Sequence, residues 1–197
     1  MQIDKQHRLS GAQWLASPHW DERPPWAQLH LVVIHCVSLP EGQFGTGYPA
    51  QLFTGQLDCS AHPDFADLEG LQVAPHLFID RAGCVQQFVE FDKRAWHAGI
   101  SSWWARPGCN AYSIGIELEG SVHDAFTLEQ YDVLAAVSTA LLRHYPSLSV
   151  DGFVGHNEIA PGRKQDPGPW FDWCGFMQRL HQRGLADAQL NQNSALT

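Results

Sequence analysis

The chain has 197 residues, 44% of them hydrophobic and only 17% charged, with a formal net charge of −9 and a pI near 5.5. That length suits one domain with a full core, and low charge beside eight tryptophans is unlike a disordered chain. The acidic balance, with Lys and Arg scattered, excludes nucleic acid as the main partner and leaves no polybasic run for an anionic membrane.

The opening stretch, with Ser17-Pro18 and Arg23-Pro24-Pro25, reads as a loop running over the surface. Residues 29–36 (LHLVVIHC) are nearly continuous in apolar, β-branched side chains and predict a buried strand. Residues 38–67 are broken by Pro40, Gly42, Gly45, Gly47, Pro49 and Pro63. A connection that long inside one domain is usually functional, such as a lid or a cleft wall. Residues 73–80 and 84–91 flank Arg81-Ala82-Gly83 and predict a β-hairpin.

Residues 112–119 predict a strand in which Ile114, Ile116 and Leu118 alternate with Ser113, Gly115, Glu117 and Glu119. The two carboxylates therefore share the face opposite the isoleucines. A helix follows from Leu128 to about Tyr145, with Thr127 and Gln130 as a capping box, Phe126 and Tyr131 as a hydrophobic staple, and Pro146 as the stop. A short strand over 150–154 leads to His156, and a last helix begins near Asp172. The order of elements predicts a single α/β domain, a mixed central sheet flanked by helices. Its expected limits are an N-terminal extension over 1–16, the domain proper over 17–184 and a flexible tail over 185–197.

Met1 to Arg8 lead into no apolar run of a secretory signal, and no stretch approaches the roughly 20 apolar residues of a membrane span. Cys36, Cys59, Cys84, Cys109 and Cys174 are odd in number, widely spaced and without a Cys-x-x-Cys pair. They predict reduced thiols and a cytoplasmic protein.

Three residues stand out as metal ligands. His35 lies at the end of a buried strand, and His156 and Asp166 flank a Pro/Gly loop. Two imidazoles and one carboxylate can hold Zn²⁺ with a position left open for water. By composition alone, a strand-end histidine is more often a satisfied core residue.

Several segments, taken together and in order, change that weighting. They are VIH (33–35), LFTG (52–55), FDKRAWHAG (91–99), SIGIELEG (113–120) and VGHNEIAPGRKQDPGP (154–169). The chain resembles, over about residues 17–180, the zinc-dependent N-acetylmuramoyl-L-alanine amidases, relatives of phage lysozyme-type amidases and peptidoglycan recognition proteins. The resemblance is to the branch that acts on 1,6-anhydro-muropeptides in peptidoglycan recycling. It implies that fold, zinc as cofactor, His35, His156 and Asp166 as its ligands, and an anhydro-muropeptide substrate; the protein is expected to be a monomer. It also implies Glu117 as the catalytic carboxylate and Lys164 as a cation beside the metal for the oxyanion, although a lysine there also suits simple pairing with Asp166 or solvent.

For substrate binding the resemblance implies Trp96 and His97, as rings for sugar or peptide. It implies Asn110 too, for substrate or for the start of the following strand. His76 is expected to be structural or to support a ligand, and Glu119 to be a solvated edge carboxylate. Cys36 stands where relatives often carry Asn, and Gly108 where an arginine for the peptide carboxylate is expected, with Arg106 nearby as a substitute. Two other readings are a muropeptide binder without catalysis and an amidase acting on the intact wall.

Overall fold

The computed structural model describes residues 1–194. The chain lays down two short strands, β1 (Gln13–Trp14) and β2 (Trp20–Glu22), then the long β3 (Leu31–Val37). After helix α1 (Tyr48–Phe53) come β4 (Leu77–Ile79), β5 (Val85–Gln87), β6 (Lys93–Ala95) and a hairpin of β7 (Ser102–Trp103) with β8 (Arg106–Pro107). The second half is β9 (Ser113–Glu119), α2 (Leu128–His144), β10 (Phe153–Gly155), the single turn α3 (His156–Ile159) and α4 (Trp173–Ser194).

Six strands form one sheet in the order β1-β5-β4-β9-β3-β10. Only β4 and β5 pair antiparallel, so the sheet is mixed, with helices packed on it as expected. Strand alternation sorts its side chains onto two faces. Val32, Ile34, Ile114, Ile116 and Leu118 face the main core, where Leu134, Val137 and Leu141 of α2 and Phe176 and Leu180 of α4 meet them. Each fully buried aliphatic side chain of this kind stabilises by roughly 1.5–3 kcal/mol. Leu31 and Val33 have the opposite parity and pack on Cys109, Tyr112, Val154 and Ile159. His35 and Glu117 share that parity, which keeps both off the helix-covered face.

The Thr127–Gln130 capping box is present, and Phe126 meets Tyr131 at 6.4 Å between ring centroids. Gln130 also reaches further: its amide donates to the carbonyls of Ile79 (3.2 Å) and Glu119 (2.9 Å), tying the start of α2 to β4 and β9.

Four stretches differ from the sequence reading. The strand expected over 150–154 is strand only at Phe153–Gly155, because residues Val150–Gly152 close into a 3₁₀ turn with Gly152 N–H donating to Ser149 O at 3.0 Å. The hairpin strands are shorter than expected, since Asp80 Oδ1 accepts the N–H groups of Ala82 (2.9 Å) and Cys84 (2.8 Å) and starts the turn early. The stretch 1–16, expected as an extension, adds β1 to the sheet edge and buries Leu9 in the main core. α4 continues to Ser194 through most of the expected tail, and residues 195–197 lie outside the described residues.

Candidate metal centre

His35 sits near the end of β3, His156 opens α3 directly after β10, and the 160–167 loop returns Asp166 beside them. Parallel pairing of β10 with β3 brings the two histidines to the same end of the sheet. His35 Nδ1 lies 2.9 Å from His156 Nδ1, and Asp166 Oδ2 lies 3.1 Å and 3.0 Å from these two nitrogens.

The other ring nitrogens fix what those three atoms are. His156 Nε2 faces the carbonyl of Ala98 at 3.1 Å and, further off, Arg163 Nη2 at 3.4 Å; the nearer partner only accepts, which favours the proton on Nε2 and a lone pair on Nδ1 of the neutral ring. His35 Nε2 faces His97 Nδ1 at 2.9 Å, and His97 Nε2 faces Ser113 Oγ at 3.0 Å. Either ring can donate in the first contact; the tautomer in which His35 donates to His97 and His97 to Ser113 leaves His35 Nδ1 as a lone pair too. Burial pushes His35 down to about 4, against the pull of Asp166, which keeps the ring neutral at pH 7.

Two imidazole lone pairs and a carboxylate oxygen thus converge within about a hydrogen-bond length. Three acceptors cannot satisfy one another; they fit a small cation. Zinc–ligand bonds of about 2.0–2.1 Å at tetrahedral angles separate ligand atoms by about 3.3 Å, close to the spacing here. Two nitrogens and one oxygen suit zinc better than the all-oxygen sets of calcium or magnesium.

Glu117 pairs in register with His35 across β3 and β9. Its Oε2 is buried and has no hydrogen-bond partner among the described residues. Burial, then the negative charge of Asp166, raises its carboxyl well above the ordinary range, and Lys164 works the other way. A half-buried carboxylate with one buried, unpartnered oxygen beside a cation site is arranged to exchange protons with whatever enters. Lys164 is itself exposed, in the loop that carries Asp166.

The remaining candidates separate. His97 packs beside His35, half-buried, with both ring nitrogens engaged. The space above Gly115 holds the His97 ring; a Cβ at Gly115 would lie 2.4 Å from it. Asn110 Oδ1 accepts the N–H groups of His97 (3.2 Å) and Ala98 (2.8 Å), so it holds the turn that carries His97. Trp96 is half-buried, with its indole N–H 3.3 Å from Asp21 Oδ1. His76 is structural as expected: it is fully buried and its Nδ1 accepts Gly115 N–H at 3.0 Å.

Arg106 stacks over Trp26 and Tyr112 and lines a cavity with His30 and Leu31, at the start of β3 and away from His35. Arg163, which sequence reasoning passed over, clamps the 98–100 turn through Ala98 O (2.6 Å) and Ile100 O (2.7 Å). Glu119 is not solvated: it is 4% exposed, and both its oxygens accept backbone N–H groups. Cys36 and Asp166 line an open cleft of about 490 Å³ with Ser38, Glu41 and Gln165.

The sequence model of the N-acetylmuramoyl-L-alanine amidase family matches residues 25–169. The chain is 50% identical over 168 residues to the 1,6-anhydro-N-acetylmuramyl-L-alanine amidase AmpD of Citrobacter freundii, covering 85% of this chain and 89% of that protein. Its fold is similar to the crystal structure of a selenomethionine AmpD derivative, with a TM-score of 0.88 and 48% identity, over 91% of this chain and 99% of that one. A more distant likeness is to the Escherichia coli amidase AmiD, whose structure holds the substrate anhydro-N-acetylmuramic acid-L-Ala-D-γ-Glu-L-Lys. There the TM-score is 0.56 and identity 27%, over 80% of this chain and 60% of that one.

Proposed function

The chain belongs to the N-acetylmuramoyl-L-alanine amidase family, and on that premise we propose that it hydrolyses the amide bond between the lactyl group of 1,6-anhydro-N-acetylmuramic acid and L-alanine in muropeptides. The observation that carries this reading is the convergence of His35 Nδ1, His156 Nδ1 and Asp166 Oδ2 beside the unpartnered Oε2 of Glu117. His35, His156 and Asp166 are the residues that would hold zinc. When bound there, zinc supplies a Lewis acid that polarises the amide carbonyl and acidifies water.

The chain's own groups do the rest. Glu117 takes a proton from the attacking water and returns it to the leaving amine of L-alanine, a role suited by its buried oxygen without a partner. Lys164 places a positive charge near the amide oxygen as negative charge develops on it. The chain from His35 through His97 to Ser113, and the Ala98 carbonyl on His156, hold both imidazoles in the ligating tautomer. Trp96 forms part of the substrate groove, while His97 and Asn110 act on substrate only through the turn and ligand they support.

We place the protein in the cytoplasm, acting as a monomer in peptidoglycan recycling. The supporting observation is that all five cysteines are unpaired, as in a reducing compartment. No helix among the described residues is long and apolar enough to cross a membrane. Mass spectrometry of zinc-loaded protein, mixed separately with anhydro-muropeptide and with intact peptidoglycan, tests the reading. Release of a peptide beginning with L-alanine from the small substrate is expected. Release only from intact wall contradicts the recycling role, and binding without release leaves a non-catalytic binder.

A further inference from the structure

Glu119 ends β9, two residues beyond Glu117 and on the same face. It is almost fully buried, yet its carboxylate is held by backbone groups from two separate loops. Oε1 accepts the N–H of Gly45 at 2.5 Å, and Oε2 accepts the N–H of Arg81 at 3.2 Å. Its own carbonyl accepts from the buried amide of Gln130 at 2.9 Å, so the strand end cannot drift. Burying a carboxylate is costly unless its oxygens are well bonded, and here the bonds reach outward to a loop.

That loop, 38–47, is exposed along most of residues 41–47. Gly45 has φ 70°, the left-handed region, and a side chain there would meet nothing within 4 Å, so the backbone conformation and not crowding calls for glycine. The conformation turns the Gly45 N–H inward to Glu119. A second tie runs parallel, with the Arg81 guanidinium 4.6 Å from the ring of Phe44. The base of the same loop, at Ser38, Leu39 and Glu41, lines the cleft that also contains Asp166.

We propose that Glu119 is a positioning residue, fixing the 38–47 connection as one wall of the cleft in which the muropeptide lies. The identity of the ligand rests on the amidase reading above; the positioning rests on the geometry alone. A glutamine is not equivalent at this site. Its amide nitrogen would face a backbone N–H, donor against donor, and one of the two loops would be released.

Two measurements test this. In the unaltered protein, hydrogen exchange read residue by residue should find the Gly45 amide strongly protected although its residue is exposed; exchange as fast as in an unstructured peptide overturns the proposal. In Glu119→Gln, with zinc content and thermal midpoint measured on the same sample, exchange across 41–47 should accelerate. KM for anhydro-muropeptide should rise about tenfold, as expected when the wall is in place only about a tenth of the time, with kcat changed less than about threefold. A lowered midpoint with KM unchanged shows a purely structural carboxylate and also overturns it. If the unaltered protein binds muropeptide without cleaving it, the same tenfold change is read in Kd, so failure of the amidase reading is distinguishable from failure of this one.

Discussion

At the scale of single residues, the decisive contrast is between Glu117 and Glu119. The sequence places them on one face of one strand, and both are glutamates. Only the structure shows that Glu117 keeps a buried oxygen without a partner while both oxygens of Glu119 are bonded. Period-two alternation fixes the face of a side chain, not what covers it, so the expectation of a solvated Glu119 had no local signal to correct it. Glu117→Gln removes the proton acceptor at constant size; it should retain zinc and fold while turnover falls by roughly 10²–10⁴. Turnover near that of the unaltered protein would remove Glu117 from the mechanism. His97 was legible as part of a motif but not as the support of His35, because no local pattern says which way the 92–99 turn faces. His97→Ala should therefore weaken zinc binding by about 10–100-fold, measured by competition with a chelator. Unchanged zinc affinity with weakened muropeptide binding would return His97 to direct substrate contact.

Among the elements, β3, β9 and α2 were readable because each carries a strong local pattern: an apolar run, an alternation and a capped amphipathic stripe. The 150–152 turn and α1 inside the long connection were not, since they are set by a few local closures and by what they pack against. The α2 cap shows how local and distant roles combine. Thr127 Oγ accepts Gln130 N–H at 3.1 Å, a bond whose loss in Thr127→Ala should cost about 1 kcal/mol. Gln130 is fully buried and bonds Thr127 N–H, Ile79 O and Glu119 O at once. Gln130→Ala strands two buried carbonyls and the half-buried Thr127 N–H and should cost at least about 2 kcal/mol in urea denaturation. A smaller loss than for Thr127→Ala would mean that the ties from α2 to the sheet contribute little.

Across the whole molecule, the two ends of the chain were the least legible. β1 joins β5 across more than seventy positions of sequence, and pairing at that distance leaves no trace in a two-residue strand. Leu9 fills the main core from the stretch expected to be an extension, so Leu9→Ala should cost about 2–5 kcal/mol despite lying far from the metal centre in sequence. The site joins residues 35 and 117, on β3 and β9, to residues 156 and 166, which follow β10, and the parallel pairing of those three strands makes them neighbours. Its members could be named from motifs, but their convergence belongs to the sheet. The most direct test of the central claim is mass spectrometry of anhydro-muropeptide after incubation with the native protein, the chelated protein and the chelated protein given back zinc. Release of the L-alanyl peptide by the first and third but not the second is the predicted result; full release by metal-free protein, or none by the zinc-loaded protein, would contradict it.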